Sequence, residues 1–221
     1  METPLVKEAK KLRIAVLGAS GGVGRLIVGR ALDQGCAVVC QTRNASKLDA
    51  IATRVRVREF DPTDPVRLGK FVKGADAVVF ALGVDAAAPT TLFTDVTKAL
   101  LAAMSRERVR RLIAITGVGA GETRGHGGFF YDRIIFPVFT RKRYADKDRQ
   151  EALIAASDLD WIIVRPAPFS NRRVPGSIEV HTRIAADTVL RRITRDEVAA
   201  FVVDQFDSDR YLHQRPFIGH P

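Results

Sequence analysis

The segment Gly18-Ala19-Ser20-Gly21-Gly22-Val23-Gly24 sets four glycines within seven residues, between an apolar run over 14–17 and a stretch with Val23, Leu26, Ile27 and Ala31 at helical spacing. A glycine-rich turn that joins a doubly buried strand to a helix is the local architecture of a phosphate-binding βα unit. Gly18 permits the tight turn, Gly21 lets the backbone approach a pyrophosphate, and Gly24 lets the helix pack closely on the sheet. Backbone N–H groups at the helix start then face the phosphates. The alternative is a glycine-rich connection that holds no ligand.

The rest of the chain repeats the alternation. Strands are expected over 14–17, 37–41, 55–60, 77–81, 112–116 and 161–164, the last ended by Arg165-Pro166. Helices are expected over 23–34, 46–52, 64–72, 92–104, 146–156 and 194–206. Gly35 stops the first, Asp64 with Pro65 opens the third, and Thr194 with Glu197 forms a capping box for the last. Residues 117–128 read as a polar glycine-rich surface loop, and the aromatic stretch 129–143 as a helix interrupted by Pro137. This order predicts an α/β fold of Rossmann type, a doubly wound parallel sheet with helices on both faces. One domain spans 1–221, with substrate-side elements at about 117–145 and 167–195.

At the end of the second strand an acid would accept bonds from a ribose 2′-OH, whereas an arginine would pair with a 2′-phosphate. The residues there are Gln41-Thr42-Arg43-Asn44, with Lys47 close behind and no acid until Asp49. Arg43 is therefore expected to meet the 2′-phosphate of NADP(H), its alternative being a solvated surface arginine.

The formal net charge of +10 invites a polyanion as partner. However, the densest basic groups, Arg54/Arg56/Arg58, Arg106/Arg108/Arg110/Arg111 and Arg141/Lys142/Arg143, fall in separate elements. Neither nucleic acid nor a membrane is expected as partner; a small-molecule acceptor is, and the chain is expected to be a monomer or small homo-oligomer. Cys36 and Cys40 lack the spacing of a metal site and read as buried thiols, so no metal is expected. METPLVKEAKKLR lacks the apolar core of a signal peptide, and no apolar run suffices to span a bilayer, which places the chain in the cytoplasm.

Taken in order, these motifs resemble the atypical short-chain dehydrogenase/reductase group, with its NmrA-like members and its biliverdin IXβ reductase/flavin reductase branch. The glycine turn resembles the group's GATGxxG, Thr42-Arg43-Asn44 its VRD-like strand end, Phe60-Asp61-Pro62-Thr63-Asp64 its GDxxD stretch, and Ser157 to Pro166 its SGLxYTIVRP segment. The resemblance implies cofactor contact by Gly18, Ser20, Gly21, Gly22, Val23, Gly24 and Arg43. It sets Asp61 beside the adenine, although Asp61 can equally cap a turn before Pro62. It passes Ala81, Leu82 and Gly83 along the ribose and places Thr116 near the nicotinamide, with Pro166, Ala167, Pro168 and Phe169 along its edge. Tyr144 and Lys147 stand three apart where short-chain dehydrogenases carry YxxxK, and Gly117 stands where the flavin branch often has serine. Tyr144, Lys147 and Thr116 are the catalytic candidates: Tyr144 as acid or as an aromatic cover, Lys147 for ribose or nicotinamide contact. His126, in the glycine-rich loop, is either an exposed side chain or a proton donor.

Two functions follow as expectations. One is an NADPH-dependent oxidoreductase acting on a flat conjugated or carbonyl acceptor of flavin, quinone or biliverdin type. The other is a non-catalytic NADP(H)-sensing regulator of NmrA-like type.

Overall fold

The computed structural model describes residues 11–83, 91–118, 123, 126, 141–185 and 187–221, with the backbone alone for 141–144. Residues 129–140 of the helix expected over 129–143, with its aromatic group, and most of the glycine-rich loop lie outside these residues, as does the side chain of Tyr144; 141–143 are helical.

Six parallel strands carry the fold: β1 (Arg13–Leu17), β2 (Ala37–Thr42), β3 (Arg56–Glu59), β4 (Ala77–Phe80), β5 (Arg111–Ile115) and β6 (Asp160–Pro166). A short pair, β7 (Phe169–Ser170) with β9 (Ile193–Thr194), lies apart from the main sheet. β8 (Glu179–His181) and β10 (Phe217–Gly219) extend that sheet, whose order is β3-β2-β1-β4-β5-β6-β10-β8. The order reverses between β1 and β4, and the crevice outside the carboxyl ends of the strands at such a reversal is where ligands bind. β10 joins β6 in parallel, and β8 pairs antiparallel to β10, so the far edge departs from the expected all-parallel sheet.

Alternation along β1 builds two cores. Ile14 and Val16 face α1 (Gly22–Asp33), while Ala15 and Leu17 face the opposite layer of α2 (Pro65–Val72), α3 (Leu92–Arg106) and α4 (Arg141–Ala155). The first layer also holds α5 (Arg195–Val203), packed against α1. Asp64 accepts the Val66 and Arg67 N–H groups at the start of α2, and Thr194 with Glu197 closes the capping box of α5, both as the local pattern predicts. The expected helix over 46–52 is a 3-10 helix at Ala45–Ile51, and α4 begins five residues earlier than its apolar pattern, at Arg141. Both cysteine thiols are free and buried, and burial pushes Cys40 up to about 12. Among the described residues no helix is long and apolar enough to cross a membrane.

Pro166 is the last residue of β6, as expected, and stands opposite Ile218 of β10. Thr116 donates its N–H to the Val164 carbonyl and Val118 to that of Pro166, both at 2.9 Å. That parallel register would make residue 166 the donor to the Thr116 carbonyl. Proline has no N–H to give, and the carbonyl accepts the Lys147 ammonium instead.

Candidate functional site

A cleft of about 630 Å3 opens at the carboxyl ends of β1, β2, β4 and β5. Gly18, Ser20, Gly21, Gly22 and Val23 line its floor, Arg43 and Lys47 one end, Ala81, Leu82 and Gly83 the middle, and Thr116, Lys147 and Phe169 the other end. Gln41, Thr42, Ile115 and Arg195 complete it, and among these residues there is no carboxylate.

The Gly18, Ala19 and Gly21 N–H groups are spent within the turn and on Gln41, so the donors left for a ligand are those at the head of α1. Gly18 has φ +82°, and a Cβ there would lie 2.9 Å from the Ala81 carbonyl oxygen. Gly21 precedes α1 without a side-chain cap, and α1 has no acidic residue in its first turn. The uncapped N–H groups and the positive end of the helix therefore face the cleft, as an anion requires. Gln41, 1% exposed, fixes the turn from behind: its side-chain oxygen accepts the Gly18 N–H at 3.0 Å and its amide donates to the Phe60 carbonyl at 2.7 Å. A polar residue at the end of an apolar strand was the signal for this role.

Five expected cofactor residues, Gly24, Asp61, Pro166, Ala167 and Pro168, lie off the cleft lining. Asp61 Oδ1 accepts the Thr63 N–H and hydroxyl at 2.9 and 2.7 Å, which holds its carboxyl below the usual range, so it takes the turn-capping role. Pro166 and Ala167 belong to the strand and to the packing beneath Gly219, and Pro168 uses its carbonyl to accept the Ile193 N–H. Gly24 acts from below the floor, since a Cβ there would stand 2.3 Å from the Gly18 oxygen. His126 is tied through Nδ1 to the Thr188 carbonyl at 2.6 Å and does not line the cleft. The Gly117 backbone, at φ +141°, lies in a region that a serine would occupy only with strain.

At the β5 end, a buried network organises the cleft. Arg165 and Glu151 are 2% and 4% exposed and pair through Nη2 and Oε2 at 2.6 Å, with Nε 3.2 Å from both carboxylate oxygens. Glu151 Oε1 accepts the Thr116 hydroxyl at 2.6 Å. The single proton of that hydroxyl is thus committed inward, and toward the cleft its oxygen can only accept. Lys147 bonds the Thr116 carbonyl and stands 5.2 Å from the Phe93 ring centroid. The helix that carries it is anchored by Asp146, fully buried, whose carboxylate caps α3 at the Phe93 and Thr94 N–H groups. Neither Glu151 nor Asp146 stands out in the sequence, because both lie in a strongly charged segment.

Comparison with known proteins agrees with this geometry. A family model described as NAD(P)H-binding matches residues 18–209. The Saccharomyces cerevisiae protein called UPF0659 protein YMR090W is 23% identical over 87% of this chain and 86% of its own length. A Veillonella parvula short-chain dehydrogenase/reductase solved in complex with NADP superposes with a TM-score of 0.77 at 18% identity, covering 95% of each chain. ChuY, described as an anaerobilin reductase from Escherichia coli O157:H7, gives 0.77 at 20% identity over 95% of this chain and 97% of that one. Glycine cradle, uncapped helix and acid-free cationic cleft suit a dinucleotide, and the matched region contains them all: the chain belongs to the NAD(P)H-binding family.

Proposed function

We propose that the protein is an NADPH-dependent oxidoreductase that delivers hydride to a flat conjugated or carbonyl acceptor. The observation that carries the reading is the asymmetry of the cleft: two cations without an acid at the β2 end, and Lys147 held on the Thr116 carbonyl at the β5 end. Gly18, Ser20, Gly21, Gly22 and Val23 would hold the diphosphate, Arg43 and Lys47 the 2′-phosphate, and Ala81 to Gly83 the ribose beside the adenine. When bound, the cofactor supplies a hydride donor. The protein's own part is binding and alignment. Lys147 offers N–H donors to a ribose hydroxyl or to an acceptor oxygen, and its contact with Thr116 fixes where they point. Thr116, with its proton given to Glu151, accepts an N–H at its oxygen and does not serve as the acid. Phe169, 45% exposed, presents an apolar surface to a flat acceptor. A flavin-like or tetrapyrrole acceptor suits such a site because alignment alone carries much of the rate. ChuY's description as a reductase of anaerobilin fits the same class.

The commitment of the Thr116 proton to Glu151 favours a second reading, a regulator that binds NADP(H) without turning it over. NADPH absorbance followed with FMN, a quinone dye and simple carbonyls separates the two. Turnover that a glycine-turn substitution abolishes supports the enzyme; tight NADP(H) binding with no turnover across the panel supports the regulator.

Arg43→Ala is expected to lower the preference for NADPH over NADH about tenfold, the lower end for a hydrogen bond to a charged group because Arg43 is exposed. Dissociation constants for both cofactors check this, and an unchanged ratio removes Arg43 from the 2′-phosphate.

A further inference from the structure

We infer that Arg195 is a clamp on the cofactor's diphosphate, supplied by the last helix of the fold to the first. It extends the family's cofactor site by a residue that neither the glycine motif nor the strand-end residues include.

Arg195 opens α5 immediately after the Thr194 cap. Its side chain runs across to α1, where a Cβ on Gly22 would stand 3.1 Å from Arg195 Cδ and 3.2 Å from Nε. Nη1 donates to Asn171 Oδ1 at 2.8 Å, and the guanidinium carbon lies 4.8 Å from the Phe169 ring centroid. Stem, one N–H and the guanidinium carbon are thus each held, Arg195 lines the cleft, and the guanidinium has further N–H groups to donate. The helices themselves are tied by Arg30 and Asp196, paired through two bonds of 3.1 and 2.7 Å.

The electrostatics point to an anion between them. Arg195 faces the uncapped N-terminus of α1, the end of a helix where a cation is unfavourable. The neighbouring acids are already engaged, Asp196 with Arg30 and Glu197 with Thr194 and His220. Among the described residues no carboxylate pairs with Arg195. An anion seated at the glycine turn would meet backbone N–H groups from one side and a planar, preorganised guanidinium from the other. The absence of a side chain at Gly22 leaves room for that guanidinium stem.

Calorimetric titration of the full chain with NADP+ and with 2′-AMP, which has no diphosphate, tests the assignment. Arg195→Ala is expected to weaken NADP+ on the order of tenfold and to leave 2′-AMP unchanged, with Arg195→Lys intermediate and the melting temperature near that of wild type. Gly22→Ala is expected to weaken NADP+ in the wild-type background and to have little further effect once Arg195 is alanine. Equal weakening of both ligands, or NADP+ binding that is unaffected while the KM of an acceptor rises, overturns the clamp. Failure of the wild-type chain to bind NADP+ would instead sink the cofactor site as a whole.

Discussion

Glu151→Ala is expected to destabilise the protein by about 3–5 kcal/mol, the cost of leaving one member of a buried ion pair without its partner. For a chain of this size that is a fall in melting temperature on the order of 10 °C. Arg165 is 2% exposed, and its Nε and Nη2 both bond Glu151. Arg215 stands 3.7 Å from the same carboxylate, so its loss leaves two cations facing each other. Replacing both members, as in Glu151→Leu with Arg165→Met, removes both charges of the pair and is expected to recover most of the loss, since apolar replacements of buried pairs are often neutral. Thermal melts of the two variants check the argument; a single variant within a few degrees of wild type, or a double variant no better than the single, refutes it. The effect also reaches the cleft, because the Thr116 hydroxyl regains a proton to donate once Oε1 is gone.

What could be read in the sequence was what is local. The apolar runs gave β1, β2, β4 and β5 to within a residue or so, and the capping residues Asp64 and Thr194 marked helix starts because a cap is a contact over two or three positions. β7 to β10 escaped notice because strands of two or three residues carry no period and exist only where a partner holds them. Pro166 ends β6 as its local pattern predicts, but only the register with β5 reveals that it also frees the Thr116 carbonyl for Lys147. In the cleft, the glycine turn, Arg43 and Lys147 lie on motifs, whereas Gln41, Glu151 and Arg195 act on residues 23, 35 and more than 20 positions away, distances at which a single sequence is silent.

Gly24→Ala is expected to weaken NADP(H) binding at least a hundredfold, about 2.7 kcal/mol, in a chain that still folds. A Cβ at this position would lie 2.3 Å from the Gly18 oxygen, 3.0 Å from Ala19 Cα and 3.1 Å from the Gly18 carbonyl carbon. All three are backbone atoms of the turn, so no side chain can swing aside, and the start of α1 must withdraw from β1. Overpacking of this kind costs about 1–3 kcal/mol of stability. The loss in binding is larger because the N–H groups at the head of α1 act only where the turn and the helix end face one anion. Gly29 supplies the control from the same helix, since a Cβ there meets nothing within 4 Å. Gly29→Ala is expected to raise stability by about 0.5–1 kcal/mol, as glycine does when replaced within a helix, and to leave the dissociation constant for NADP+ unchanged. Calorimetry and thermal melts of the two variants read both quantities. If Gly24→Ala binds NADP+ as Gly29→Ala does, close packing of α1 on the turn is not what shapes the phosphate site.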